Sequence, residues 1–245
     1  MPRSPSGALC ERRMRLQKAK SQKTKSAVSR TKILDAAVKE FSHIRYEKAS
    51  VNQICRDGQI TKGRLYYYFE SKDQLYLAAL QYCLERMKEN LLAFEPDPSL
   101  SMEENILRFF AAWQDVWKRN MNFAFFMGRA KLSPPDHLRE PVIEMIRVFR
   151  NEVLLVKWQE IFQFYFPDDQ NRQKLFSMIS NITIQYISVY MGLPRLDNAK
   201  NDPNLFFDRQ MAIFKSLVHI FLHGCMNVEV PQLRDGWPDY SDFEL

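Results

Sequence analysis

Apolar side chains first fall into a regular pattern at Ile33, Ala37 and Phe41, every fourth residue, with Leu34 and Val38 on the adjoining row. That spacing predicts an amphipathic helix from Ser29 onward. Ser50 is followed three residues later by Gln53, the spacing of a capping box, which opens a short second helix with Val51 and Ile54 on its buried side and ends it near Asp57. Thr61 can cap a third helix, and Ile60 and Leu65 stand where a hydrophobic staple would fix the approach of the chain. Only Gly58, Gln59 and Ile60 separate the two. Ser71 and Gln74 form a further capping box ahead of a long helix through Leu75, Ala78, Ala79 and Tyr82 to about Ala93.

Beyond Glu95-Pro96-Asp97-Pro98, proline and acidic caps divide the chain into helices at about 101–119, 121–131, 139–165, 169–192 and 204–224. Strand alternation is absent, so the fold class is all-α. The organisation expected is a flexible arm over 1–28, a three-helix head over 29–76 and a helical bundle over 77–245.

Charge sharpens this division. The chain has 245 residues and a formal charge of +6, yet residues 1–32 hold ten basic side chains against Glu11 alone, a local +9 that leaves −3 for the rest. Residues 1–28 contain no aromatic side chain and cannot bury enough surface to offset their ordering entropy. Seven glycines, none closely grouped, exclude dinucleotide-binding and P-loop folds. No run approaches the roughly 20 apolar residues of a membrane span, and charge stands where a secretory signal needs its apolar region, so a soluble cytoplasmic protein is expected. Cys10, Cys55, Cys83 and Cys225 are too scattered for a disulfide framework or a cysteine zinc site and read as reduced thiols.

Two short helices joined by a three-residue turn have the form of a helix-turn-helix, whose second helix enters the DNA major groove. At its start stand Thr61, Lys62, Gly63 and Arg64. Arg64 can pair with a guanine in bidentate fashion, Lys62 can do so or contact phosphate, and Gly63 allows a close approach to the duplex. In the run Leu65-Tyr66-Tyr67-Tyr68-Phe69, Leu65 and Phe69 make one core row at i and i+4, which points at least two tyrosines outward. Their hydroxyls can bond phosphate. Lys72, one turn further on, is placed for the DNA backbone, and Ser50 begins the helix that crosses it.

These residues carry a resemblance. Ile33-Leu34-Asp35-Ala36-Ala37, Phe41, Tyr46, Ser50-Val51, Ile54, Ile60-Thr61-Lys62-Gly63, Leu65-Tyr66, Phe69 and Lys72 together resemble the DNA-binding domain of TetR-family bacterial transcription regulators, over about residues 29–76. The resemblance implies a bacterial, nucleoid-associated regulator that binds a near-palindromic operator in double-stranded DNA. It departs from the family pattern at Arg45, where glycine is usual, at Gly58-Gln59-Ile60 in the turn, and at Tyr68, where histidine is common. If Gln59 takes the left-handed conformation, the strain is roughly 1 kcal/mol.

The bundle offers candidate ligand contacts rather than chemistry. Trp113, Trp117, Phe126, Tyr186 and Tyr190 are dense rings with few charges between them, first a core signal and, in a protein that resembles this family, a place for a small hydrophobic ligand. The last two helices carry Ile179, Ile182, Ile187, Phe214, Leu217, Val218 and Phe221, an apolar excess that suggests a homodimer. His219 and His223 stand at i, i+4, but the sequence shows no third ligand, so no metal and no cofactor is expected. Glu103-Glu104 and Asp168-Asp169 read as charges at helix N-termini. No convergent acid, base or nucleophile set suggests an enzyme. The sequence thus favours a repressor released from DNA by a hydrophobic ligand, with a structural or division-associated DNA-binding protein of the same fold as the alternative.

Overall fold

The computed structural model describes residues 27–174 and 203–225, and every regular element among them is helical. Helix α1 spans 27–43 and so takes in the last two residues of the segment read as an arm. Its row Ile33, Leu34, Ala37, Val38 and Phe41 is buried. A short 3-10 turn, Tyr46–Lys48, leads to α2 (Val51–Asp57), α3 (Lys62–Tyr68) and α4 (Lys72–Leu92). Ser50, Thr61 and Ser71 cap these three, accepting the N–H groups of Gln53, Arg64 and Gln74 at 3.4, 3.2 and 3.0 Å.

The two glutamine capping boxes are only half made. The N–H of Ser50 donates to the Glu40 carboxylate of α1 at 2.8 Å, a charged acceptor stronger than an amide, while Gln53 turns to Arg56 and Asp57 on its own helix. Gln74 accepts instead from the N–H of Glu70 at 2.6 Å. The reciprocal box forms at Ser101 and Glu104, whose carboxylate accepts the Ser101 N–H at 2.8 Å and opens α5 (Met102–Arg119).

Asn120 ends α5 and caps α6 (Met121–Leu132). Next, α7 (Arg139–Phe149) runs without a break into a π-helical stretch, Arg150–Leu155, and on into α8 (Val156–Tyr165), so that one rod fills the span expected as a single helix. Helix α9 begins at 170 and is described to 174; the rest of the predicted 169–192 helix, with Tyr186 and Tyr190, lies outside the described residues. The last element is α10 (Pro203–Cys225). No described helix is long and apolar enough to cross a membrane.

Helix α4 is the common core element. It buries Leu75, Tyr76, Ala79, Leu80, Cys83, Leu84, Met87 and Leu91 and packs against α5, α6 and α7. Helix α10 lies along α5, where Phe214 stacks on Phe110 at 3.9 Å and Gln114 donates to the Phe207 carbonyl at 3.2 Å. This changes the apolar face expected for a second copy. Phe214 and Val218 are buried and Leu217 is half-buried, because α5 supplies a ring-rich partner within the chain. Among the described side chains of α10, Leu205, Ile213 and Ile220 are large, apolar and exposed; Phe221 lies outside the described side chains.

The turn between α2 and α3 closes as a Schellman motif. The Ile60 N–H reaches the Cys55 carbonyl at 3.0 Å and the Gln59 N–H reaches Arg56 at 3.1 Å, with Gln59 at φ 52° in the left-handed position that glycine usually holds. Glycine stands one place earlier for a packing reason: a Cβ at Gly58 would sit 3.2 Å from the Ile54 carbonyl oxygen and 3.4 Å from Cβ of Ala36 on α1. Gln59→Gly is expected to stabilise the protein by about 1 kcal/mol, read as a higher urea midpoint at unchanged slope. A lower midpoint would mean that the Gln59 side chain itself supports the fold.

Candidate nucleic-acid interface

Helix α3 has two opposed faces. Leu65 and the adjoining Phe69 are buried against the head, while Lys62, Gly63, Arg64, Tyr66 and Tyr67 all face outward. Tyr67 is 81% exposed, too far out of the core for packing to explain its ring. Tyr68 is half-buried and stands edge-on to Tyr67 at 5.2 Å. Thr61 spends its acceptor on the Arg64 N–H. A Cβ at Gly63 would meet nothing within 4 Å, so nothing inside the described chain requires glycine there.

Three contacts at this face were not legible from local pattern. Arg64 Nη2 donates to Ser29 Oγ at 2.6 Å, and the Arg30 guanidinium lies 5.5 Å from the centre of the Phe69 ring, which brings the start of α1 alongside α3. The Lys72 ammonium sits 4.3 Å above the Tyr46 ring, where burial lowers its pKa from the ordinary lysine value. Ser50 is half-buried at the start of α2 and acts there as its cap. The only early signal for the α1 contacts was the crowding of basic residues before position 33.

Behind this face an aromatic seam joins the head to the bundle. Phe41 of α1, Tyr76 of α4 and Phe126 of α6 meet in a triangle, with centroid separations of 4.9, 5.1 and 5.8 Å. Tyr46 stands edge-on to Tyr76 at 5.4 Å and to His137 at 5.3 Å. Its hydroxyl donates to Asp73, and His137 Nε2 lies 3.2 Å from the same carboxylate oxygen. Burial, then the Asp73 contact, pushes the Tyr46 phenol up; the Tyr46 and His137 contacts hold the Asp73 carboxyl below the usual carboxylate range. Phe126, expected among ligand contacts, is fully buried in this seam. Helix α4 passes unbroken through the expected boundary at 76–77.

Deeper in the bundle, Trp113 and Trp117 lie 5.4 Å apart on α5, both buried. Their indole N–H groups and the side-chain oxygen of Gln114 between them have no hydrogen-bond partner among the described residues.

Residues 33–79 match the family model described as bacterial regulatory proteins, tetR family. The match is confined to this head, which is similar to the DNA-binding part of that family. It is 36% identical to the HTH-type transcriptional regulator RutR of Escherichia coli over 88 residues, 34% of this chain and 42% of that protein. The first curated relatives are matched over 16% to 52% of their own lengths, all less than two thirds. The likeness in fold extends further along the chain. A TetR-like transcriptional regulator from Rhodococcus superposes with a TM-score of 0.58 at 20% identity, covering 81% of this chain and 97% of that one. FadR from Bacillus subtilis, solved with stearoyl-CoA, gives a TM-score of 0.55 at 16% identity, covering 79% and 98%.

The buried seam and the outward face of α3 differ in what they contribute to stability, since Phe126 is fully buried and Tyr67 is exposed. Phe126→Ala should cost about 3–5 kcal/mol of stability through the cavity it leaves, whereas Tyr67→Ala should stay within about 0.5 kcal/mol. Urea titration of the two variants checks both, and a large loss at Tyr67 would show that its ring serves the fold.

Proposed function

We propose that the chain is a homodimeric, sequence-specific DNA-binding regulator, a repressor released from a near-palindromic operator by a small hydrophobic ligand, acting at the bacterial nucleoid and not as an enzyme. The observation that carries this is the outward face of α3: two cations, two exposed tyrosines and a glycine with open space around it, on a rigid helix fixed from behind by Leu65 and Phe69. Amides at the start of α3 and hydroxyls of Tyr66, Tyr67 and Tyr68 suit phosphate, while Lys62 and Arg64 suit base edges. Arg64 would exchange its Ser29 contact for a guanine. The match of residues 33–79 to a family of bacterial regulatory proteins supports the same reading.

Two further features support the rest. The exposed Leu205, Ile213 and Ile220 on α10 suit a two-fold mate, which would hold two recognition helices roughly 34–36 Å apart. The unpartnered indole N–H groups of Trp113 and Trp117 suit a ligand with an apolar body and one acceptor group, since each orphaned donor costs roughly 1–3 kcal/mol. FadR from Bacillus subtilis, similar in fold, was solved with stearoyl-CoA. Tyr186 and Tyr190 remain candidates for the same ligand. Release follows if the ligand prefers the arrangement in which the heads are misplaced, with α4 and the aromatic seam as the link.

A gel shift on DNA flanking its own gene is the direct test. Binding should fall steeply with salt, and Lys72→Ala should weaken all sequences and lower the salt slope by about one, whereas Arg64→Ala or Lys62→Ala should cost about 1–3 kcal/mol at one base position. An unchanged site preference in both would remove them from base reading. Ile213→Asp should give a monomer by sedimentation and lose operator binding while the head stays folded.

Lipophilic acids titrated with and without operator should quench tryptophan fluorescence, with Trp113→Phe and Trp117→Phe reducing the response. By reciprocity, operator must weaken the ligand by the factor that the ligand weakens operator. A broad panel producing neither quenching nor release would favour the structural DNA-binding alternative.

A further inference from the structure

The two histidines near the end of α10 meet a carboxylate that sequence spacing does not reveal. His219 and His223, one helical turn apart, have ring centroids 4.2 Å apart. Glu103, in the first turn of α5, lies against them, its Oε1 3.8 Å from His219 Nδ1 and its Oε2 3.7 Å from His223 Nε2. One ligand atom from each residue falls within 4.8 Å of the other two. The helices approach from opposite ends, since Gln114 late in α5 bonds Phe207 early in α10. The cluster therefore sits where the first turn of α5 meets the last turns of α10.

We propose that Glu103, His219 and His223 bind one divalent transition-metal ion, of which Zn²⁺ is the type. Two imidazole nitrogens and one carboxylate oxygen are a donor set suited to that ion, with a fourth position left for water or a further ligand. The distances fit this chemistry. Donors held at about 2.1 Å around a tetrahedral ion lie roughly 3.4 Å from one another; each histidine comes within 3.8 or 3.7 Å of a different Glu103 oxygen, and with one atom per residue all within 4.8 Å, the set closes by side-chain rotations that move donors by about 1 Å. Both histidines are more than half exposed and Glu103 is a quarter exposed, which leaves an ion free access and the side chains room to adjust. The carboxylate cancels one charge of the ion, which keeps the cost of moving it from water low.

The site has a mechanical meaning. Phe214 and Phe110 hold the middle of the α5–α10 pair by ring stacking, and the metal would tie its open end through three coordinate bonds. Ile220 is exposed between the two histidines, so the same turn also bears on the apolar outer side of α10. Binding at this site does not depend on the DNA-binding reading.

The test uses the full-length chain, freed of metal by chelation and buffer exchange under reducing conditions. Isothermal titration with Zn²⁺ should give one equivalent per chain with micromolar affinity or tighter, and the melting temperature should rise with Zn²⁺ as expected for a ligand of the native state. Co²⁺ should give the visible bands of a four- or five-coordinate site without a thiolate charge-transfer band. The His219→Ala/His223→Ala double variant should lose binding at least tenfold, and Glu103→Gln, which keeps the size of the side chain, should weaken it in the same direction. Circular dichroism confirms that each variant retains its helix content. No Zn²⁺ binding up to millimolar concentration, undiminished binding in both variants, a thiolate band with Co²⁺, or equal binding of Mg²⁺ would each overturn the proposal.

Discussion

The contact of Phe41, Tyr76 and Phe126 packs the first helix of the head onto the bundle, alongside the unbroken α4 that runs through both. Each ring comes from a different helix, and each helix has a separate duty: α1 supports α3, α4 carries the common core, and α6 belongs to the bundle. Edge-to-face and offset aromatic packing is directional, so a triangle of rings fixes orientation as well as proximity. The polar cluster of Tyr46, Asp73 and His137 at its rim adds hydrogen bonds that a simple apolar patch would lack. The contacts run from α6 through Phe126 and Phe41 to α1, and from α1 through Ser29 and Arg30 to α3.

Local elements were legible because their signals are local. Caps at Ser50, Thr61 and Ser71, the row of Leu65 and Phe69, and the break at Glu95–Pro98 each depend on residues a few positions apart, and helices began where those signals stood. The left-handed Gln59 was a condition attached to the family's turn pattern, and the structure meets it at φ 52°. What could not be read is what the fold brings together from afar. Glu40 displaced Gln53 at the Ser50 N–H because a charged oxygen on another helix outcompetes an amide on the same one. Lys72 over Tyr46, Arg64 on Ser29 and Glu103 beside the histidines are likewise contacts between elements, and spacing along the chain carries no trace of them.

The apolar pattern of α10 shows a related limit. Periodicity identifies that a face is hydrophobic and leaves open which neighbour covers it. Phe214 and Val218 looked surplus when each helix was counted alone, but α5 contributes Phe110 and its own buried row. Burial inside the chain then leaves the narrower stripe of Leu205, Ile213 and Ile220 outside. An isolated helix with a few exposed aliphatics is ordinary; here they share one helix.

The π-helical stretch at Arg150–Leu155 acts as a phase adjuster in the longest rod of the bundle. Before it, Val142 and Phe149 mark the buried side; after it, Lys157, Trp158, Ile161 and Phe162 do. On an uninterrupted α-helix the second set would centre roughly 140° from the first, and absorbing one residue removes about 100° of that. The wider turn takes up that one residue, so both halves of the rod present their apolar sides to the same core. Removal of one residue from this stretch would let it wind as ordinary α-helix without turning Trp158 to solvent, whereas the same deletion inside α8 would throw every later side chain out of phase.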